Sequence, residues 1–150
     1  MSEVLQMRLQ ETIREELGGT YSVSANPSYQ RIPNQEYSIS IQFGSAPERA
    51  DDLVKRVFQE IDKLKTTGPT EKQVTDEKEA LLREFETNSK MNNYLLNQIA
   101  LRYQSGEDPA GLWNIPEYYK KIDGAMIQQA AQTYLDTKNY IRVTLLPEKK

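Results

Sequence analysis

An arginine and a tyrosine lie at either end of a short segment in which a helical pattern gives way to a strand pattern. Arg14 and Tyr21 flank Gly18 and Gly19 in the stretch REELGGTYSV. An arginine carries a fork of hydrogen-bond donors and a tyrosine hydroxyl can donate one more, so both can bind carbonyl oxygens. The pattern alone favours a structural interpretation, because a cation suits the last turn of a helix and aromatic residues are common in strands.

The chain has no histidine and no cysteine among its 150 residues. The absence of histidine excludes a histidine general base, a Ser-His-Asp triad and an imidazole metal site. The absence of cysteine removes thiol nucleophiles, thiolate zinc sites and disulfides, and it leaves the redox compartment undefined. Only carboxylates, Lys, Tyr, Ser and Thr remain for chemistry, so we do not expect a complete hydrolase from this chain alone.

The composition is that of one globular domain with an ordinary charged surface. The length suffices for one sizeable core, the formal net charge is −3 and charged residues make up 27%. Lysine and arginine are interspersed with acidic residues, so we expect no nucleic-acid partner. No apolar run approaches the roughly 20 residues of a membrane span, so we expect no membrane partner.

Helical and strand periodicities in the first third of the chain predict a helix followed by two strands. An apolar stripe predicts a helix over residues 3–17, ended by the two glycines. Alternating residues predict strands at 21–25 and 37–43, which we expect to pair antiparallel. Asn26-Pro27 and Pro33-Asn34 are expected to bracket a turn-rich connection between them.

The remainder of the chain is predicted to be mostly helical. Capping-box patterns at residues 45–48 and 70–73 each predict the start of a helix. After residue 73 we expect two helices with a bend around residues 87–92, or else one long helix. Shorter helices follow from Asp108 and Asp123, and a last strand is predicted over residues 141–145. The fold class is therefore α+β, a small antiparallel sheet covered on one face by several helices.

This order of elements resembles the C-terminal lobes of the pitrilysin/insulinase family of zinc metallopeptidases, which includes mitochondrial processing peptidase. The likeness rests on the arginine and tyrosine separated by six residues and followed by Ser22-Val23, on residues 39–61, and on the GPTE of residues 68–71. It closes with AAQTYLDTKNYIRVTLLP, which is similar to the family's final helix and strand. The collinear order of these signals covers nearly the whole chain.

The resemblance implies a lobe without a metal of its own. In that family zinc is bound by an H-x-x-E-H helix and a downstream glutamate of an N-terminal lobe, and this sequence lacks the motif. The zinc would therefore belong to the N-terminal lobe of a longer parent protein, of which this chain is one part, or to a partner subunit. Because the family's lobes are longer, we expect residues 1–150 to be a single domain, a fragment of a C-terminal lobe lacking its first strand or strands, and inactive alone.

The resemblance also assigns roles to Arg14 and Tyr21, which lie at the two ends of the helix–strand junction, residues 14–21. Arg14 and Tyr21 correspond to the arginine and tyrosine that face the peptide substrate near the zinc. Tyr21 is implied to be catalytic, donating a hydrogen bond to the oxyanion of the attacked carbonyl. Arg14 is implied to bind a neighbouring substrate carbonyl. No residue of this chain is implied to ligate a metal.

Two other interpretations stay open. The chain could be a lobe of a family member that has lost catalysis and serves as a scaffold or partner-binding subunit, or an independent interaction module with only architectural likeness. A lobe with an unpaired sheet edge is also expected to associate with itself. Trp113, Tyr118 and Tyr119 are interpreted as packing beneath a loop rather than as a ligand site.

Overall fold

The computed structural model describes residues 1–16 and 22–148, and the side chains of residues 14–16 fall outside that description. The described chain divides into two compact units. The first unit is Met1–Pro69 together with the segment from Ala125 onward, and the second is Thr70–Gly124. The expectation of a single domain over residues 1–150 stays a prediction.

The first unit begins with a helix that packs against a two-stranded antiparallel sheet. Its first elements are α1 (Ser2–Leu9), a π-helical continuation (Gln10–Glu16), β1 (Val23–Gln30) and β2 (Glu36–Phe43). Val23 lies opposite Phe43 and Gln30 lies opposite Glu36. The predicted antiparallel pair is therefore confirmed, and so is the α+β fold class.

The prediction of a turn at Asn26-Pro27 is wrong, because β1 continues through both residues. The connection between the strands is residues 31–35. Proline lacks an N–H and is tolerated where the backbone nitrogen faces away from the paired strand. The N–H of Ala25 donates to the Gln6 side chain, and alternate residues of a strand direct their backbone groups to the same side. Pro27 therefore sits on the open side of β1, where it loses no ladder hydrogen bond.

The core of the first unit is formed where helices meet over the sheet. α2 (Ala50–Thr67) follows a 3-10 turn (Pro47–Arg49), and α6 (Gly124–Tyr134) returns to the same unit. The fully buried side chains of this core include Val4, Leu5, Leu9, Ile13, Leu53, Leu64 and Ala131. Their spacing matches the predicted apolar stripes of α1 and α2. Gly68, with a φ of 71°, ends α2 as the Gly-Pro pair predicts.

Of the two predicted capping boxes, one forms and one does not. The Thr70 hydroxyl accepts from the Gln73 backbone N–H at 3.2 Å, and the Gln73 side chain accepts from the Thr70 N–H at 3.0 Å. The box at residues 45–48 is wrong, because the cap position of the 3-10 turn is Ala46, which has no capping side chain. Ser45 therefore lies one residue too early to cap.

The second unit is a set of helices with a thin core. It contains α3 (Glu71–Asn88), α4 (Asn92–Gln104), a 3-10 segment (Pro109–Asn114) and α5 (Ile115–Lys121). The predicted break near residues 87–92 is confirmed. Phe85 and Leu112 are its buried apolar residues, and α4 has no buried residue. Among all the described helices, none is long and apolar enough to cross a membrane.

The predicted last strand over residues 141–145 is wrong for the described structure. The sheet of the described residues contains only β1 and β2, and residues 140–148 have no regular secondary structure. Alternation of apolar residues encodes an extended segment with two different faces, but a strand also requires a neighbour to pair with.

Candidate functional site

The two predicted site residues lie outside the described structure. Nothing is described of Tyr21 or of the Arg14 side chain, while the Arg14 backbone belongs to the π-helical continuation of α1. β1 begins at Val23, two residues after Tyr21. π-helical turns are rare and are frequent at functional sites. The described residues therefore supply the frame on each side of the junction, a helix before it and a strand after it.

Gln6 ties the helix of this frame to the strand. Its side-chain nitrogen donates to the Val23 carbonyl at 2.8 Å, and its side-chain oxygen accepts from the Ala25 N–H at 2.5 Å. The side-chain amide of Gln6 thus makes the two backbone hydrogen bonds that a neighbouring strand would make at the open edge of β1. Val23 and Ala25 are both buried, so these backbone groups have little access to water and need the partner that Gln6 provides. The tether fixes the strand start close to Tyr21 against α1.

We expect Gln6→Leu to destabilise the chain by about 2 kcal/mol, because it leaves a buried carbonyl and a buried N–H without their partner. Urea unfolding followed by far-UV circular dichroism measures this loss. The matched control is Gln42→Leu, because the Gln42 side chain is exposed and, among the described residues, bonds only to Ser40 of the same strand. Equal unfolding midpoints for the two variants would contradict the tether.

A buried ion pair fixes α1 on α2. Nε of Arg8 donates to a carboxylate oxygen of Glu60 at 3.2 Å, and one of its terminal nitrogens donates to the Gly68 carbonyl at 3.1 Å. Lys63 donates to the other oxygen of Glu60 at 2.7 Å. Only 3% of the Glu60 side chain is exposed, against 13% for Arg8. The helix that leads toward Arg14 is therefore held by a charged contact inside the unit.

Sequence reasoning missed Gln6, Arg8 and Glu60. Glu60 did carry a signal, because it falls within the apolar stripe of α2, three residues after Val57 and four before Leu64. An acidic residue at such a position requires a buried partner. Gln6 and Arg8 carry no comparable signal, since polar residues on α1 fit an exposed face equally well.

The described residues do not fit a zinc site. They bring together no group of three or more Asp or Glu side chains that could hold a metal ion. Histidine and cysteine, the usual zinc ligands besides carboxylates, are absent from the whole sequence.

Two aromatic residues of the second unit contact Phe85. The rings of Tyr94 and Trp113 meet the Phe85 ring edge-on, at centroid distances of 6.5 Å and 6.3 Å. Tyr118 instead stays exposed beside Lys121. Trp113 stays 59% exposed despite this contact, so the interpretation of Trp113 and Tyr118 as packed beneath a loop is wrong.

Burial raises the pKa of Tyr119, and Tyr94, Glu84 and Glu77 raise it further. We expect Tyr119→Phe to remove a late component from an absorbance titration of the phenols at alkaline pH. A raised pKa means that the folded chain favours the neutral phenol. The contribution of Tyr119 to stability is therefore present below the unfolded-state pKa of about 10, and it is lost as pH rises through the pKa of Tyr119 in the folded chain. The unmutated chain titrated under the same conditions is the reference, and an unchanged late component in Tyr119→Phe would contradict this assignment.

Comparison with known proteins places the chain in a peptidase family. Residues 1–81, more than half of the chain, match the family model described as the peptidase M16 inactive domain. A protein from Arabidopsis thaliana described as a PQQL-like zinc protease is 26% identical over 167 residues. That alignment includes 99% of this chain and 17% of the relative.

Solved structures share the fold. The periplasmic protease PqqL from Escherichia coli superimposes with a TM-score of 0.75 at 24% identity, covering 89% of this chain and 15% of that one. A mutant of the ferredoxin protease FusC, solved in complex with Arabidopsis ferredoxin, gives a TM-score of 0.72 at 21% identity, covering 87% and 14%. The chain thus spans less than a fifth of the length of these proteins. The chain belongs to the peptidase M16 inactive-domain family and corresponds to a C-terminal, pitrilysin-like lobe of the zinc proteases.

Proposed function

We propose that this chain is the substrate-binding lobe of a zinc metalloendopeptidase, in which Arg14 and Tyr21 contact the peptide near a zinc ion held elsewhere. The main observation in support of this proposal is that the family match over residues 1–81 includes both positions. The zinc and its ligands would belong to another lobe of the same parent chain or to a partner subunit. The 150-residue chain alone would bind peptide without cleaving it.

The frame around the junction supports this assignment. α1 is held on α2 by the Arg8–Glu60 ion pair and on β1 by Gln6. Arg14 and Tyr21 therefore follow and precede elements whose positions are fixed by buried polar contacts. Such support is what a binding residue requires, because small displacements of a contact group cost large factors in rate.

The substrate class that we propose is an extended polypeptide. The FusC relative was solved with a protein bound, ferredoxin, and the curated relative is described as a protease. A guanidinium offers several donors in a rigid plane, which suits a peptide carbonyl and fixes the register of the chain. A phenol offers one donor, which suits the single oxygen that becomes charged when a carbonyl is attacked.

Replacing Arg14 in the full-length parent tests the binding role. We expect Arg14→Ala to raise KM for a peptide substrate by about tenfold to a hundredfold, because hydrogen bonds from a charged group contribute about 1.5–3 kcal/mol. kcat should change much less if the contact is made equally in the ground and transition states. Steady-state kinetics with a fluorogenic peptide separate the two constants.

Lys55→Ala is the matched control, because Lys55 is an exposed cation of the same unit that contacts Asp52 on α2. An unchanged KM in Arg14→Ala would remove Arg14 from the proposal. A full-length parent that binds peptide but never cleaves it, and whose preceding lobe lacks H-x-x-E-H, would instead support the scaffold alternative.

A further inference from the structure

A buried ion pair occupies a place in the first unit where apolar residues would pack at least as well. Glu60 lies in the apolar stripe of α2, between Val57 and Leu64, and only 3% of its side chain is exposed. Its partner on α1, Arg8, is 13% exposed. Replacing a buried ion pair with apolar residues of similar volume is often neutral or stabilising, because both charges lose their hydration on burial. Stability alone therefore does not explain a charged pair at this position.

The ion pair adds directional contacts between α1 and α2. Arg8 donates from Nε to Glu60 at 3.2 Å and from a terminal nitrogen to the Gly68 carbonyl at 3.1 Å. The backbone positions of Glu60 and Gly68 are separated by about 12 Å along the helix. A planar guanidinium that binds at both points fixes the position of α1 along α2. Burial of Leu9 and Ile13 also holds α1 in the unit, but hydrophobic attraction is non-directional.

The helix that Arg8 anchors continues to Arg14. α1 ends at Leu9, and the backbone runs on as the π-helical segment Gln10–Glu16, so the described helical backbone has no break between the two arginines. Arg14 follows Arg8 at a distance of no more than about 9 Å along the helix. Because a helix is a rigid element, a displacement at Arg8 is passed on to the backbone of Arg14.

We propose that Arg8 and Glu60 are positioning residues for substrate binding, a role that rests on the proposed function, in which Arg14 binds a carbonyl of the peptide. The pair acts through the helix between Arg8 and Arg14 rather than by contact with the substrate. When the backbone of Arg14 shifts, its side chain meets the carbonyl less well. Loss of the pair therefore weakens peptide binding rather than the chemical step.

Replacing the pair with apolar residues in the full-length parent tests this role. Arg8→Met/Glu60→Leu leaves no buried charge unpaired, so the variant should fold with a stability close to that of the unmutated enzyme. We expect KM for a peptide substrate to rise about threefold to tenfold, while kcat changes by less than about twofold. A pair with a structural role alone predicts no change in either constant, because the apolar variant keeps the packing.

Lys63→Met is the matched control. Lys63 lies on α2 itself and donates to the other oxygen of the Glu60 carboxylate at 2.7 Å. The control removes a charged contact of the same carboxylate without freeing α1, and should leave KM unchanged. Arg8→Lys is a second test variant, since lysine keeps a cation beside Glu60 but offers one ammonium in place of the planar fork. It should raise KM in the same direction as the double variant.

Hydrogen exchange in the full-length parent gives a readout that does not depend on turnover. In Arg8→Met/Glu60→Leu the amides of Gln10–Glu16 should exchange faster than in the unmutated enzyme, because α1 has lost its directional anchor. The amides of β2 are the internal reference and should keep their exchange rates. Mass spectrometry of peptic fragments resolves the two segments.

The effect of Arg14→Ala separates the positioning role from the proposed function. An unchanged KM in Arg14→Ala overturns the proposed function and the positioning role with it. A KM that rises in Arg14→Ala but not in Arg8→Met/Glu60→Leu overturns the positioning role and leaves the proposed function standing. When the pair is replaced in the Arg14→Ala background, KM should rise no further, because the route through Arg14 is already lost.

Three more results would overturn the positioning role. The first is an equal rise of KM in Lys63→Met, which would make the charge of the carboxylate responsible rather than its link to α1. The second is additive effects of Arg14→Ala and the pair replacement, which would place the effect outside Arg14. The third is unchanged hydrogen exchange at Gln10–Glu16 in the double variant.

Discussion

Replacing Glu60 with alanine is expected to lower the free energy of unfolding by about 3 kcal/mol. The Glu60 carboxylate is almost fully buried and accepts hydrogen bonds from Arg8 and Lys63. Its removal leaves the guanidinium of Arg8 inside the unit with the Gly68 carbonyl as its one remaining partner among the described residues. Breaking a buried pair by deleting one member costs several kcal/mol, because the remaining charge stays desolvated. Urea unfolding with far-UV circular dichroism measures the loss.

The control for this prediction is an exposed ion pair on another helix. Glu86 contacts Lys90 at 3.0 Å, with more than two thirds of each side chain exposed. Glu86→Ala should change stability by less than about 0.5 kcal/mol. The double variant Arg8→Met/Glu60→Leu should recover most of the loss of Glu60→Ala, because two apolar residues replace the pair without leaving a charge. A double variant as unstable as the single one would show that the loss comes from packing alone.

The helices and strands of the first unit could be predicted because the buried residues follow the regular spacing of apolar residues in the sequence. The i, i+4 stripe of α1 and the stripe of α2 point to one face, and that face is buried in the structure. The alternation of β2 likewise separates half-buried Ile39, Ile41 and Phe43 from the exposed polar side. The π-helical turn at Gln10–Glu16 could not be predicted, because spacings of four residues also fit an ordinary α-helix.

Where the prediction failed, local pattern and tertiary arrangement disagreed. Leu95 and Ile99 form an apolar series at four-residue spacing in α4, a pattern that favours a buried side, yet no residue of α4 is buried. Such a stripe shows which face seeks apolar contact, but not whether another element covers it. The contacts of Gln6 and Arg8 depend on which elements become neighbours, and no local spacing contains that information.

The candidate site itself came from the family resemblance rather than from local pattern. The residue types at the junction favoured a structural role, because a helix-end cation and a strand tyrosine are common. The family match now covers both positions, so the chemical assignment is worth a direct test in the parent enzyme.

Replacing Tyr21 with phenylalanine in the full-length parent is expected to lower kcat by about a hundredfold to a thousandfold, or about 3–4 kcal/mol in barrier. The phenol would donate to the oxygen that gains negative charge in the transition state, and phenylalanine keeps the ring while removing that donor. The substrate carbonyl carries far less charge before the attack, so KM should change by less than tenfold. Steady-state kinetics on a peptide substrate measure both constants.

Tyr29→Phe provides the matched control, because Tyr29 lies at the far end of β1 and is exposed. It removes one of the nine tyrosine hydroxyls at a position eight residues after Tyr21, and should leave kcat unchanged. A pH profile of kcat separates a hydrogen-bond donor from a general acid. Loss of a hydrogen-bond donor lowers kcat by the same factor across the neutral pH range, whereas loss of a proton-transfer group changes the shape of the profile. Equal turnover by Tyr21→Phe and the unmutated enzyme would exclude Tyr21 from the oxyanion role, because no other effect of the substitution could restore a donor at that position.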